Sequence, residues 1–271
     1  MTDEQLKHFN QYGYFYADDA TPRAMLPELE AAARRVYDKV RAKDVEIFTH
    51  RTDSDEPWAV RGLFAPEFNE PIFADYMMCD EVMPYVHAVL GKELRLGAVL
   101  IFTNPRDQNW GFGWHRDFGK HPRDAGEEEE LAILNQPQTS FKWHLALEDD
   151  ECLHLVPGSH RRYRTDYEFA CLSETRHADI PSQKIMYLKK GQTLFWHGYA
   201  LHRGVMKKDV ERLSIASSWS KHSDDDEPKE VDKRLRWMLA DNLRDFLPDP
   251  MHVYYDRWRS MQIETAEEES G

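Results

Sequence analysis

No stretch of this chain approaches the ~18 consecutive apolar residues that span a bilayer as a helix. Its opening, Met1-Thr2-Asp3-Glu4-Gln5-Leu6, carries no apolar core of a secretory signal. Cysteine is scarce. Cys79, Cys152 and Cys171 are an odd, scattered three with no C-x-x-C spacing, which excludes a paired-cysteine framework and fits a reducing compartment. Positive charge is also short: Lys plus Arg number 35 against 49 Asp plus Glu, a formal charge of −14. Without a basic stripe, such a chain is not built for nucleic acid or an anionic membrane surface. The expectation is a cytoplasmic protein acting on a small molecule, as a monomer or a homodimer.

Much of the acidic excess sits in three runs, Glu127–Glu130, Asp224–Glu227 and Glu267–Glu269, which read as solvated loop or tail. No repeat, linker or low-complexity insert divides the 271 residues, so one domain over 1–271 is expected. Helices come first, over residues 1–91. Thr2 to Gln5 is a capping-box pattern, and Gly13 closes a short helix before Tyr14-Phe15-Tyr16, which reads as a strand. Thr21-Pro22 opens a longer helix to about Val40, with Leu26, Leu29, Ala33, Val36 and Val40 on one stripe. Residues 44–70 read as irregular, and a third helix is expected from Pro71 to Val89.

From Leu94 the period changes. Short strands punctuated by Gly and Pro, over 94–221, predict a fold that is mainly β with flanking helices, on a double-stranded β-helix (jelly-roll) core. One of these strands is expected over Gly113–Phe118. Helices return at the C-terminal end over 228–262, from Glu230 to Phe246 and around Val253 to Met261.

His115-Arg116-Asp117 carries the chemistry. In a strand, residues i and i+2 point to one side, so His115 and Asp117 can converge on one ion while Arg116 faces away. Two imidazoles and a carboxylate on one face of a metal form the ligand set of non-haem Fe(II) oxygenases. The second imidazole must come from a distant strand, and His202 and His197 compete for that place. Arg212 lies ten residues beyond His202. A guanidinium presents parallel N–H donors that match the distal carboxylate of 2-oxoglutarate. Ser214, two residues along the same strand, faces the same side.

Further segments place these residues in order. Leu147-Glu148-Asp149-Asp150-Glu151-Cys152 leads to Pro157-Gly158-Ser159-His160, and Gly191-Gln192-Thr193-Leu194-Phe195-Trp196 precedes the distal histidines. With the H-x-D tripeptide, the later arginine and the opening helix ending Tyr12-Gly13-Tyr14, the chain resembles the phytanoyl-CoA dioxygenase family. It departs from that pattern at Glu151-Cys152, where Asn-Gly is usual, and at Gln192, where Asp is usual.

The resemblance implies an Fe(II)- and 2-oxoglutarate-dependent dioxygenase using O2. It would hydroxylate a small polar or anionic metabolite and release succinate and CO2. His115, Asp117 and His202 would be the metal ligands, since the His202-to-Arg212 spacing matches the family. Arg212, Ser214 and Trp143 would line the 2-oxoglutarate site, Trp143 being equally readable as a core residue. Trp58, Arg61, Phe112 and Arg161 are candidates for substrate orientation, by type and by proximity to the motifs. Two other readings stay open: a cupin-like dioxygenase or isomerase that needs no 2-oxoglutarate, and a non-catalytic binding protein on the same fold. A halogenase would vacate the carboxylate position that Asp117 fills.

Overall fold

The opening of the chain forms the reciprocal cap that its residues predict. Gln5 N donates to Thr2 Oγ1 (3.1 Å), Thr2 N donates to Gln5 Oε1 (2.9 Å), and Gly13, at φ 81°, ends the helix. In this computed structural model, which describes residues 1–118 and 125–264, helix α1 (Asp3–Tyr12) runs into strand β1 (Tyr14–Ala17). Helix α2 (Leu26–Ala42) begins later than Pro22, with Pro27 in its first turn, and buries Leu29, Ala33, Val36 and Val40 along one stripe.

Residues 44–70 are more regular than their sequence suggests. They contain strands β2 (Thr49–Arg51) and β3 (Pro57–Arg61). β3 is buried continuously from Pro57 to Val60, so it lacks the in-out alternation by which a half-buried strand is recognised. The single helix expected over 71–89 is two, α3 (Ile72–Met77) and α4 (Met83–Leu90). Pro84 fits a first turn but not a helix interior, and the chain turns before it.

Strands then follow: β4 (Leu94–Thr103), β5 (Trp110–His115), β6 (Ser140–Ala146), β7 (Leu153–Leu155), β8 (Lys184–Ile185), β9 (Thr193–Trp196), β10 (His202–Met206) and β11 (Leu213–Lys221). Between them lie helices α5 (Glu127–Leu134) and α6 (Asp166–Ser173), each too short to declare a helical period in sequence. After β11 come β12 (Lys229–Glu230), a 3-10 turn over Lys233–Leu239, α7 (Leu243–Phe246), α8 (Asp249–Ser260) and β13 (Gln262–Ile263). The long helix expected over 230–246 is therefore broken. Met238 and Leu243 are both buried, and on one helix they would sit about 140° apart around the axis.

Seven strands form one antiparallel sheet in the order β1-β9-β6-β11-β4-β3-β2, and four form a second in the order β5-β10-β7-β8. This is the expected jelly roll with flanking helices. One face of the large sheet packs Phe141, Trp143, Phe195 and Ile215 against Leu29, Val36, Tyr76 and Met251 of the helical layer. The other face meets the small sheet: Ala146 and Leu194 pack with Leu155, and Leu100 and Ala216 pack with Met206. Among the described residues, no helix is long and apolar enough to cross a membrane.

Phe195 centres the outer core. Its ring stacks on Phe15 (4.8 Å), Tyr85 (5.0 Å) and Phe141 (5.1 Å). Phe195→Ala is expected to cost about 3–5 kcal/mol, read from the urea midpoint with an unchanged m-value. A loss below about 1 kcal/mol would place the stabilising core elsewhere.

Candidate metal centre

His115 closes β5 and His202 opens β10, and the antiparallel register sets the two residues opposite each other. Their ring centroids are 4.1 Å apart. Each ring is tied at Nδ1 to a carbonyl two residues earlier, His115 to Gly113 O (2.9 Å) and His202 to Ala200 O (2.8 Å). Both therefore present Nε2 to a common point, as second-shell bonding orients metal-ligating histidines. Burial pushes His115 down to about 3 and also lowers His202, which keeps both rings neutral with a free lone pair.

Asp117 does not belong to the strand. β5 ends at His115, and Asp117 is carried by its own backbone bond, Asp117 N to Gly198 O (2.9 Å). Its carboxylate still reaches the imidazoles, at 3.8 Å from His115 Nε2 and 3.5 Å from His202 Nε2. Burial would raise Asp117, but the Lys142 ammonium at 2.5 Å holds it well below the usual carboxylate range. A Cβ on Gly198 would stand 2.9 Å from Asp117 Oδ2, so only glycine leaves the carboxylate this room.

The three ligand atoms lie within 4.8 Å of one another, and among the described residues no other His, Cys, Asp or Glu group does so. Two neutral imidazoles and an ionised carboxylate fit a facial Fe(II) site. His197 lies elsewhere. It packs on Phe9 (5.9 Å) and His160 (4.9 Å), and its Nδ1 accepts from Tyr199 N (3.1 Å).

Arg116, the middle residue of the tripeptide, is buried, and its guanidinium organises the surrounding loops. Nη1 donates to Ser159 O and Tyr199 O, both at 2.6 Å. Ser159 Oγ in turn accepts from Leu201 N (2.8 Å), next to His202. Nη2 pairs with Glu130 (3.3 Å), and Arg164 pairs with the same carboxylate. Glu130 ends an acidic run that reads as solvated in sequence; its three predecessors are exposed, but Glu130 is fully buried between two arginines. Burial inside the jelly roll, which composition cannot reveal, makes the difference.

The arginine side of the site forms around Asp150. Arg212 Nε donates to Asp150 Oδ2 (2.8 Å), Ser214 Oγ donates to the same oxygen, and Cys152 N donates to Oδ1 (2.8 Å). Burial opposes ionisation of Asp150, but Arg212 and these donors hold it down at about 2. The Arg212 guanidinium also stacks over Phe102 (5.2 Å).

Between this cluster and the metal face lies His144, not Trp143. Paired residues across the sheet share a face, and His144, Ala216, Leu100 and Arg61 form one such row. His144 packs on Phe102 (5.3 Å) and Trp196 (4.4 Å). Trp143 points to the opposite face, into the helical layer, and its Nε1 donates to Tyr76 Oη (2.8 Å). A shift of one residue changes the face, and sequence alone does not set it.

Of the four residues expected near the substrate, three gather. Phe112 sits edge-on to His115 (4.7 Å) and Trp58 lies 6.3 Å from Phe112. Arg61 joins them from β3 and feels the Asp117 charge. Arg161 does not. It donates to Asn10 O (3.1 Å), against α1. Lys142, His144, Asp150 and Phe102 are site residues that motif spacing misses; strand alternation around Trp143 is the signal that could have exposed the first two.

A sequence model described as phytanoyl-CoA dioxygenase (PhyH) matches residues 9–206. A search of curated proteins returned no match. Several solved structures share the fold. EctD from S. alaskensis, with 2-oxoglutarate and 5-hydroxyectoine, superposes with a TM-score of 0.63 at 17% identity, over 82% of this chain and 76% of that one. HygX from Streptomyces hygroscopicus, with nickel, 2-oxoglutarate and hygromycin B, gives 0.59 at 20%, over 86% and 92%. The epimerase SnoN from nogalamycin biosynthesis gives 0.58 at 17%, over 82% and 81%.

Glu130→Ala would remove the carboxylate that two buried guanidiniums share. The expected loss of stability is about 3–5 kcal/mol in denaturant unfolding. An unchanged midpoint would show that this cluster does not hold the loops around the site.

Proposed function

The chain belongs to the phytanoyl-CoA dioxygenase family, whose members use Fe(II), 2-oxoglutarate and O2, and from that premise we propose that it hydroxylates a small polar or anionic metabolite, with release of succinate and CO2. One observation carries the reading: the His115–Asp117–His202 donors and Arg212 face the same interior, with His144 and Phe102 between them. The described chain would act as one catalytic unit, built on the jelly-roll core.

His115, Asp117 and His202 would hold the metal. When bound, Fe(II) with 2-oxoglutarate and O2 supplies the oxidising power that C–H hydroxylation needs. The protein supplies placement. Asp150 holds Arg212 through Nε, which leaves the two terminal nitrogens to receive the far carboxylate of 2-oxoglutarate. Ser214 supports the same anchor through Asp150. His144, which is buried, and Phe102, which is half-buried, line the path between. Trp58, Phe112 and Arg61 would orient the substrate beside His115. A cupin-like enzyme without 2-oxoglutarate would have no use for a buried, oriented guanidinium on this inner face.

Two outcomes check these roles. Metal content after anaerobic loading should collapse in His115→Ala and His202→Ala and survive in His197→Ala, since two protein ligands rarely retain a labile ion. Iron kept by His202→Ala but lost by His197→Ala would reverse the assignment. Separately, Arg212→Lys keeps the charge but loses the fork. Affinity for 2-oxoglutarate, titrated through the visible band of the anaerobic Fe(II) protein, should then fall by about 1.5–3 kcal/mol. An unchanged affinity would remove Arg212 from the site and revive the cupin reading.

A further inference from the structure

The four buried arginines of the described chain each have a carboxylate partner: Arg116 and Arg164 have Glu130, Arg203 has Asp179 and Arg212 has Asp150. Arg61, half-buried at the end of β3, has none among the described residues. It closes β3 on the inner face, in the row that carries Leu100, Ala216 and His144. Its Nε donates to His50 Nε2 (3.1 Å), and no carboxylate among the described residues lies within ion-pair distance. Burial and the neighbouring Arg234 push Arg61 down to about 10, which still leaves it charged at neutral pH. Burial and the Arg61 charge push His50 down to about 4, so a neutral ring accepts from the guanidinium and fixes its direction.

Three neighbours sharpen the picture. Trp58, 7% exposed, has a buried Nε1 with no hydrogen-bond partner, and its ring packs on His50 (5.0 Å) and lies near Phe112 (6.3 Å). Arg234 reaches over from the C-terminal segment, held at Nε by both oxygens of Asp232 (2.8 and 2.9 Å), and it too feels Asp117. Lys142 stands on the other side of Asp117 at 2.5 Å. A chain of net charge −14 thus gathers three cations around one end of its interior.

We propose that the metabolite carries an anionic group and that Arg61 receives it, with Trp58 Nε1 as a second donor and Arg234 reinforcing the field. This rests on the oxygenase reading above and narrows it to anionic substrates. A planar guanidinium with two open terminal nitrogens suits a carboxylate or a phosphonate equally, so the shared chemistry is an oxyanion.

Calorimetric titration of Ni(II)- and 2-oxoglutarate-loaded protein with methylphosphonate and, separately, with propionate tests it. At least one anion should bind, more weakly at higher salt, and the stronger of the two identifies the phospho or the carboxylate class. Arg61→Gln should weaken that binding by about tenfold or more, the scale of one charged hydrogen bond, with Arg61→Lys in between. Should Arg61→Gln fail to fold, Arg234→Gln, at a half-exposed position, should weaken it by about two- to fivefold through the lost field. Binding of neither anion to the wild-type protein, or equal affinity in the variants, overturns the proposal. Failure of the anaerobic Fe(II) protein to form its visible band with 2-oxoglutarate would instead overturn the oxygenase reading, so the two failures are distinct.

Discussion

Strand β10 lies between β5 and β7, and its register sets His202 against His115 on one side and Leu155 on the other. Everything at the metal centre depends on that pairing. The irregularity between His202 and Gly204 falls at the point where the ligand leaves the ladder, which is where bulges re-aim side chains at sites. A one-residue slip of β10 would turn His202 to the opposite face, away from His115. Arg116 then ties the loops that carry the rest: its guanidinium joins the carbonyls of Ser159 and Tyr199, while Glu130 balances its charge beneath them. The loops on either side of His202 are thus pinned from the position between the other two ligands.

Charge is distributed in two opposite ways. The surface carries the acidic excess, and its ion pairs, such as Lys189 with Asp149, are exposed and worth little. The interior concentrates paired ions, where removal of one partner is costly because the other is left desolvated. Arg212 with Asp150 and Arg116 with Glu130 are of this kind. Arg61, half-buried and without a carboxylate partner among the described residues, lies beside the metal face rather than in the structural core.

Some of this was legible in the residues. Thr2, Gln5 and Gly13 specify the first helix because capping is local, completed within a dozen positions. The change of period at Leu94 announced the jelly roll. The donor types and their order along the chain, H-x-D and then a histidine, pointed to the three groups that the fold brings together. Other features were hidden for stated reasons. β3 is buried without alternation, and α5 begins with four glutamates that look solvated.

What the sequence by itself determined is the kind of chemistry and the class of fold, because donor identity, caps and periodicity are properties of neighbouring residues. Only the tertiary structure decided which side chains share a space. Pairing with β9 and β11 turns His144 inward and sends Trp143 to Tyr76. The turn at Ser159 sends Arg161 to Asn10, away from the metal, while β3 carries Arg61 towards it. Those directions depend on hydrogen-bond partners tens of residues away, and no local pattern encodes them.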